Sequence, residues 1–163
     1  MDATTWAENE TTAVAAATEI THGIYFQSYK GYSEGSGLSG NTEFNLWGFY
    51  NADTGDCRDF ANFFQVLCDS IGIEGKSKAI GGTFTTKEIL LIGLGPSDWE
   101  EKDFANHGIG WYNNVYDAML KLNKDSPLIA TNLTLATYKG YLYKSGTWND
   151  TQTPWNLTRV DYQ

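Results

Sequence analysis

The chain has little cysteine, histidine or positive charge: 2 Cys, 2 His and 11 Lys plus Arg among 163 residues. Set against 20 acidic residues, those 11 leave a net charge of −9. None of the basic residues forms a run. Phosphate contact needs concentrated Lys and Arg, so no nucleic-acid partner is expected. Long apolar runs are missing too. Ile89-Leu90-Leu91-Ile92 is strand-sized, far short of the roughly 20 residues that span a bilayer, so no membrane partner is expected. The first residues carry no basic-then-apolar segment, which implies a secretory signal already removed or never present. A composition short of Lys and Arg and rich in Thr, Asn, Gly and Tyr suits a secreted or cell-surface location.

The few metal-ligand types also exclude chemistry. Cys57, Cys68, His22 and His107 lack the spacing of a zinc site. The aspartates do not form a calcium loop, and Gly35-Ser36-Gly37-Leu38-Ser39 lacks the Gly-Lys-Ser/Thr of a phosphate cradle. No metal or organic cofactor is expected.

What the chain does have is apolar content, 41% of its residues, with 15% aromatic. That is enough for a sizeable core, and the length suits one domain over residues 1–163, expected to be a monomer. Thr12 to Ile24 reads as a helix with Val14, Ala17, Ile20, Thr21 and Ile24 inward. Residues 30–42, with four glycines, read as a long loop, and Phe44 to Tyr50 as a short aromatic stretch of ambiguous period. After Ile73 the pattern becomes extended. Lys76 to Ile80 and Thr83 to Ile92 read as strands about a Gly81-Gly82 turn. Gly108 to Tyr112 and Val115 to Leu120 form a hairpin at Asn113-Asn114, and a weakly alternating tail follows Pro127. Helices first and an antiparallel sheet after make an α+β order.

The most informative segment is Gly55-Asp56-Cys57-Arg58-Asp59-Phe60-Ala61, which opens a helix closing at Ile71-Gly72-Ile73. Phe60, Ala61, Phe64, Leu67, Cys68 and Ile71 fall on one stripe. Asp53, Thr54 and Asp56 are the available caps. Cys57 falls in the first turn, where free N–H groups and the helix dipole favour a thiolate. Cys68 lies on the stripe, roughly 16 Å along the axis from Cys57. A disulfide needs Cα atoms within about 7 Å, so both thiols are expected free and Cys68 inert.

A cysteine nucleophile needs an imidazole to exchange its proton and a polar group to orient that imidazole. His107, in Phe104-Ala105-Asn106-His107-Gly108-Ile109, opens the hairpin, and Asp117, in Val115-Tyr116-Asp117-Ala118, lies in its returning strand. His22, on the first helix, has no such company and reads as a surface residue. With these three segments in this order, the chain resembles the transglutaminase-like group of the papain-like cysteine hydrolase superfamily over about residues 53–118. The resemblance implies a nucleophile helix packed on an antiparallel sheet, with Cys57 as nucleophile, His107 as base and Asp117 as orienter. Gly108 and Ile109 stand where that family usually has an aromatic residue.

A two-residue turn at Asn113-Asn114 sets Gly110 opposite Asp117. His107 then lies roughly 10 Å further along the strand, too far for a direct bond without a bulge, a bend or a different turn. Asp103, Asn106 and Asn123 are the substitutes for Asp117. The Cys57 N–H is one oxyanion donor, and Gln27, Tyr25, Tyr29 and Trp47 are candidates for a second. The 31–41 loop and the Phe44–Tyr50 stretch are candidates to line the cleft. Arg58 and Asp59 read as a solvated or structural pair at the helix terminus. The expected function is acyl transfer at a protein or peptide amide through a cysteine thioester, as a peptidase, amidase or transglutaminase. The alternative is a non-catalytic extracellular domain binding carbohydrate or protein through rigid aromatics.

Overall fold

A computed structural model of the chain describes residues 3–40, 43–154 and 159–161. The helices are α1 (Ala3–Trp6), α2 (Ala13–Gln27), α3 (Leu46–Asn51), α4 (Cys57–Ser70) and α5 (Leu135–Leu142). The strands are β1 (Gly31–Tyr32), β2 (Glu43–Asn45), β3 (Thr54–Gly55), β4 (Lys76–Thr86), β5 (Leu90–Leu91) and β6 (Asp103–Tyr112). After them come β7 (Asn114–Leu122), β8 (Leu128–Leu133), β9 (Tyr143–Gly146), β10 (Asn149–Pro154) and β11 (Arg159–Asp161). The fold is mixed α+β, with α2 and α4 packed on an antiparallel sheet ordered β10-β4-β6-β7-β5; β8 also pairs with β7 and β9 with β4. Two small parallel pairs, β1 with β3 and β11 with β2, flank it. Among the described residues no helix is long and apolar enough to cross a membrane.

Helix α2 starts where Thr12 caps the Ala15 N–H at 3.1 Å and runs past Ile24 to Gln27. Tyr29, at φ 56°, ends it in the left-handed region. Ala17, Ile20, Thr21 and Ile24 face inward as their spacing predicts, but Val14 is exposed. Helix α4 buries Phe60, Ala61, Phe64, Leu67 and Cys68, and Phe63 widens the stripe against Phe49; Ile71 is half-buried. Gly72, at φ 81°, forms the C-terminal stop while the Ile73 N–H bonds back to the Cys68 carbonyl. Both cysteines are free.

Phe64 stacks on Tyr116 of β7 with ring centroids 5.3 Å apart. That close approach depends on Gly110 of β6, where a Cβ would lie 2.5 Å from the Phe64 ring. Gly81-Gly82 does not turn the chain as its composition suggests. β4 continues through it with a bulge between Gly81 and Phe84, and Gly82 takes φ 95° beneath the Thr147 carbonyl. The tail also differs from its extended reading, because residues 135–142 are helical.

The helix–sheet seam predicts its own disruption. Phe64→Asp buries an unpaired charge against Tyr116 and should cost about 4 kcal/mol, read as a lower urea midpoint. An unchanged midpoint in a soluble variant contradicts the packing.

Candidate active site

The start of α4 is built by two aspartates. Asp56 is the N-cap, its carboxylate accepting from the N–H groups of Arg58 (2.9 Å) and Asp59 (3.1 Å). Asp59 returns the favour by accepting from the Asp56 N–H at 2.9 Å, closing a capping box. Neither side chain takes the N–H of Cys57, the first helical residue. Asp59 is fully buried and also accepts hydroxyl bonds from Ser36 and, at 2.5 Å, from Ser39. Asn62 reaches Ser39 from one turn on, at 3.1 Å. Burial raises the Asp59 pKa, opposed by the hydroxyl bonds. Asp59 is thus a structural anchor that ties the glycine-rich loop to the helix start.

Pairing of β1 with β3 sets Tyr32 against Gly55 and brings it beside Cys57. A cleft of about 170 Å³ opens there, lined by Tyr32, Glu34, Cys57, Arg58, Phe104 and Asn106 among others. Lys102 sits at its edge, 3.8 Å from Glu34 and with Nζ 5.5 Å from the centre of the Tyr32 ring. Burial, then the charge of Cys57, raises the Tyr32 pKa above its ordinary 10. The loop therefore lines the cleft as expected, but the Phe44–Tyr50 stretch does not. Phe44 and Phe49 are in the core, while Trp47 and Tyr50 stack on one another at the surface.

The expected second oxyanion donors are elsewhere as well. Gln27 accepts from the Trp6 indole, Tyr25 lies beneath Lys121, Tyr29 is 94% exposed, and Trp47 is on the outer face of α3. Tyr32 is the tyrosine that lines the cleft instead. The short β1–β3 pairing that brings it there has no periodic signal in sequence.

His107 and Asp117 meet, although a two-residue turn at Asn113-Asn114 would hold them apart. The observed register pairs Trp111 with Val115 and Gly110 with Tyr116 around Asn113 at φ 60°, one residue from the register of a two-residue turn. A one-residue shift exchanges the faces of a strand. It moves Asp117 from the face of Gly110 to that of Ile109 and His107. The β6–β7 ladder then stops at Gly110, and β7 is irregular on both sides of Asp117 in its pairing with β8. That irregularity lets Asp117 Oδ1 accept from the Met119 N–H at 2.9 Å while Oδ2 lies 2.8 Å from His107 Nε2. Of the substitutes, Asp103 accepts from Thr85 at 2.6 Å and Asn106 lines the cleft.

Tyr138 of α5 completes the cluster. Its hydroxyl donates to Asp117 Oδ2 at 2.5 Å and lies 3.0 Å from His107 Nε2. An extended reading of the tail hides this residue. Its signal is Thr134, which caps the Thr137 N–H at 3.2 Å, followed by Leu135, Tyr138 and Leu142 at helical spacing. His107 is fully buried and stacked on Phe104 at 4.6 Å. Its Nδ1 lacks a well-aligned partner. Burial disfavours the charged ring, but the Asp117 charge and hydrogen bond, followed by a hydrogen-bonding contact and charge from Cys57, raise its pKa from 6.5 to about 10. Cys57 is 9% exposed and opens on the cleft. Cys68 is fully buried, and burial with the Asp69 charge pushes its thiol up to about 12. His22 is half exposed, with Glu19 at 3.4 Å. Among the described residues no group of three or more His, Cys, Asp or Glu could hold a metal ion.

A raised His107 pKa stabilises the fold fully below the unfolded value of 6.5, and that contribution is lost as pH rises through about 10. The difference in denaturation midpoint between wild type and His107→Gln should therefore shrink from about pH 6 to about pH 10.5. A gap constant over that range contradicts a protonated, Asp117-paired ring. Comparison with models of known protein families, with curated proteins and with solved structures finds no match to this chain.

Proposed function

We propose that the chain is a transglutaminase-like domain that transfers acyl groups from protein or peptide amides through a thioester on Cys57. The observation that carries this reading is the buried His107–Asp117 pair, 2.8 Å apart, with Cys57 close enough to help raise the ring's pKa and itself opening on a cleft. Asp117 and Tyr138 both lie against Nε2, so Nδ1 is the nitrogen that faces the chemistry. With the ring already protonated at neutral pH, the proton sits on Nδ1 opposite a Cys57 thiolate, and the Asp117 carboxylate stabilises that imidazolium.

Cys57 Sγ then attacks the amide carbonyl carbon. The C–N bond breaks, the imidazolium proton passes to the departing nitrogen, and a thioester remains. Water or an amine attacks the thioester, gives its proton to Nδ1 and expels the thiolate. Water as acceptor makes a peptidase or amidase; a lysine amine makes a cross-linker. In this reading the Cys57 N–H at the helix start serves as an oxyanion donor, and Tyr32 lines the same cleft. A secreted or cell-surface location belongs to this reading and rests on composition.

One observation favours the alternative, a non-catalytic binding domain: Trp47 and Tyr50 form an exposed stacked pair, centroids 6.3 Å apart, on α3. Rigid aromatics give contact area at modest entropic cost.

p-Nitrophenyl acetate separates the two. The enzyme reading expects one acetyl group on Cys57 by peptide mass mapping, discharged by hydroxylamine. Asp117→Ala should slow its formation about tenfold or more, and His107→Ala further still. No acetyl on Cys57, or acetylation indifferent to His107, would leave the binding reading ahead.

A further inference from the structure

Tyr138 is brought to the site by α5, outside the segments that carry Cys57, His107 and Asp117. It is fully buried. Its hydroxyl has a single proton and two neighbours, Asp117 Oδ2 at 2.5 Å and His107 Nε2 at 3.0 Å. The carboxylate is the nearer and stronger acceptor, so the proton points to Asp117. A hydroxyl lone pair and a carboxylate oxygen then both face Nε2, and only a protonated Nε2 is compatible with both. The neutral ring is thereby left with its lone pair on Nδ1, the nitrogen without an aligned partner.

We propose that Tyr138 is a positioning residue that fixes the Nε2–H tautomer of His107 and holds Asp117 against it. For the thiol this rests on the acyl-transfer reading above. Asp117 accepts three donors, the Met119 N–H, His107 and Tyr138. The Tyr138 bond is the one made from outside the β6–β7 hairpin. The same hydroxyl reaches His107 of β6 and Asp117 of β7 beyond the point where their ladder ends. Loss of the hydroxyl removes one of two oxygens that receive the imidazolium Nε2–H, and it removes a donor from a buried carboxylate. The carboxylate becomes more basic, but it is no longer held against Nε2, and the loss of that hold together with the lost acceptor weakens the imidazolium that supports the Cys57 thiolate.

The test is the pH profile of Cys57 alkylation by iodoacetamide, mapped by mass, in wild type and Tyr138→Phe. The ring is retained in the variant, so packing is preserved. The wild-type acid limb should lie below that of an ordinary thiol, and Tyr138→Phe should move it up by roughly half a pH unit or more, about a threefold loss of thiolate on that limb. Thr134→Ala, which removes the α5 cap one turn before Tyr138, should move it the same way by less and serves if Tyr138→Phe folds poorly. Superimposed profiles in folded variants overturn the positioning role while the wild-type limb leaves the acyl-transfer reading standing. A wild-type limb already at the ordinary thiol position overturns both.

Discussion

The site depends on a carboxylate held in the protein interior. Asp117 is 2% exposed and faces a histidine that is wholly buried. Taking such a pair out of water costs several kcal/mol per ion, and their attraction offsets this only where the remaining lone pairs are satisfied. Here both carboxylate oxygens are engaged, Oδ1 by a backbone N–H and Oδ2 by the imidazole and a phenol. Such a network adds little to stability compared with apolar packing of the same volume. What it supplies is a fixed ring orientation. Strand irregularity, the hairpin turn and α5 all converge on that orientation, and none of the three would be needed by a simple helix-on-sheet core.

A second buried carboxylate does the corresponding work for the loop. Asp59 joins the capping box at the helix start to Ser36 and Ser39 of the glycine-rich segment. The residues that line the cleft from that side, Tyr32, Glu34 and Gly35, are thereby held over the N-terminus of α4. The helix contributes its first turn, the loop one wall, and β6 the other through Phe104, Ala105 and Asn106. Gly110 allows the helix to sit close enough to the sheet for these walls to face one another.

Much of this is legible in the residues. The 57–70 helix announces itself by its stripe, its Asp56 cap and its Gly72 stop, because each is a local property. The free state of Cys57 and Cys68 follows from helical rise alone. The Asp117–His107 contact could be anticipated from order but not from hairpin geometry. It depends on a turn one residue tighter than Asn113-Asn114 suggests and on an irregularity in β7 that only the pairing with β8 creates. Composition misleads at Gly81-Gly82, where two glycines mark a bulge instead of a reversal. Period misleads after Pro127, where three tyrosines at mixed spacing mask a short capped helix. Trp47 and Tyr29 are illegible for a different reason: an aromatic side chain carries no sign of whether its element turns it to the cleft or to solvent.

The central claim is that His107, oriented by Asp117, acts on the thiol of Cys57. Mass-mapped iodoacetamide labelling of the native protein at neutral pH, compared between wild type and a folded His107→Asn variant, measures this directly. Cys57 labelling should fall about tenfold or more while Cys68, buried and with its pKa raised, stays slow in both. An unchanged Cys57 rate in the folded variant would contradict that claim.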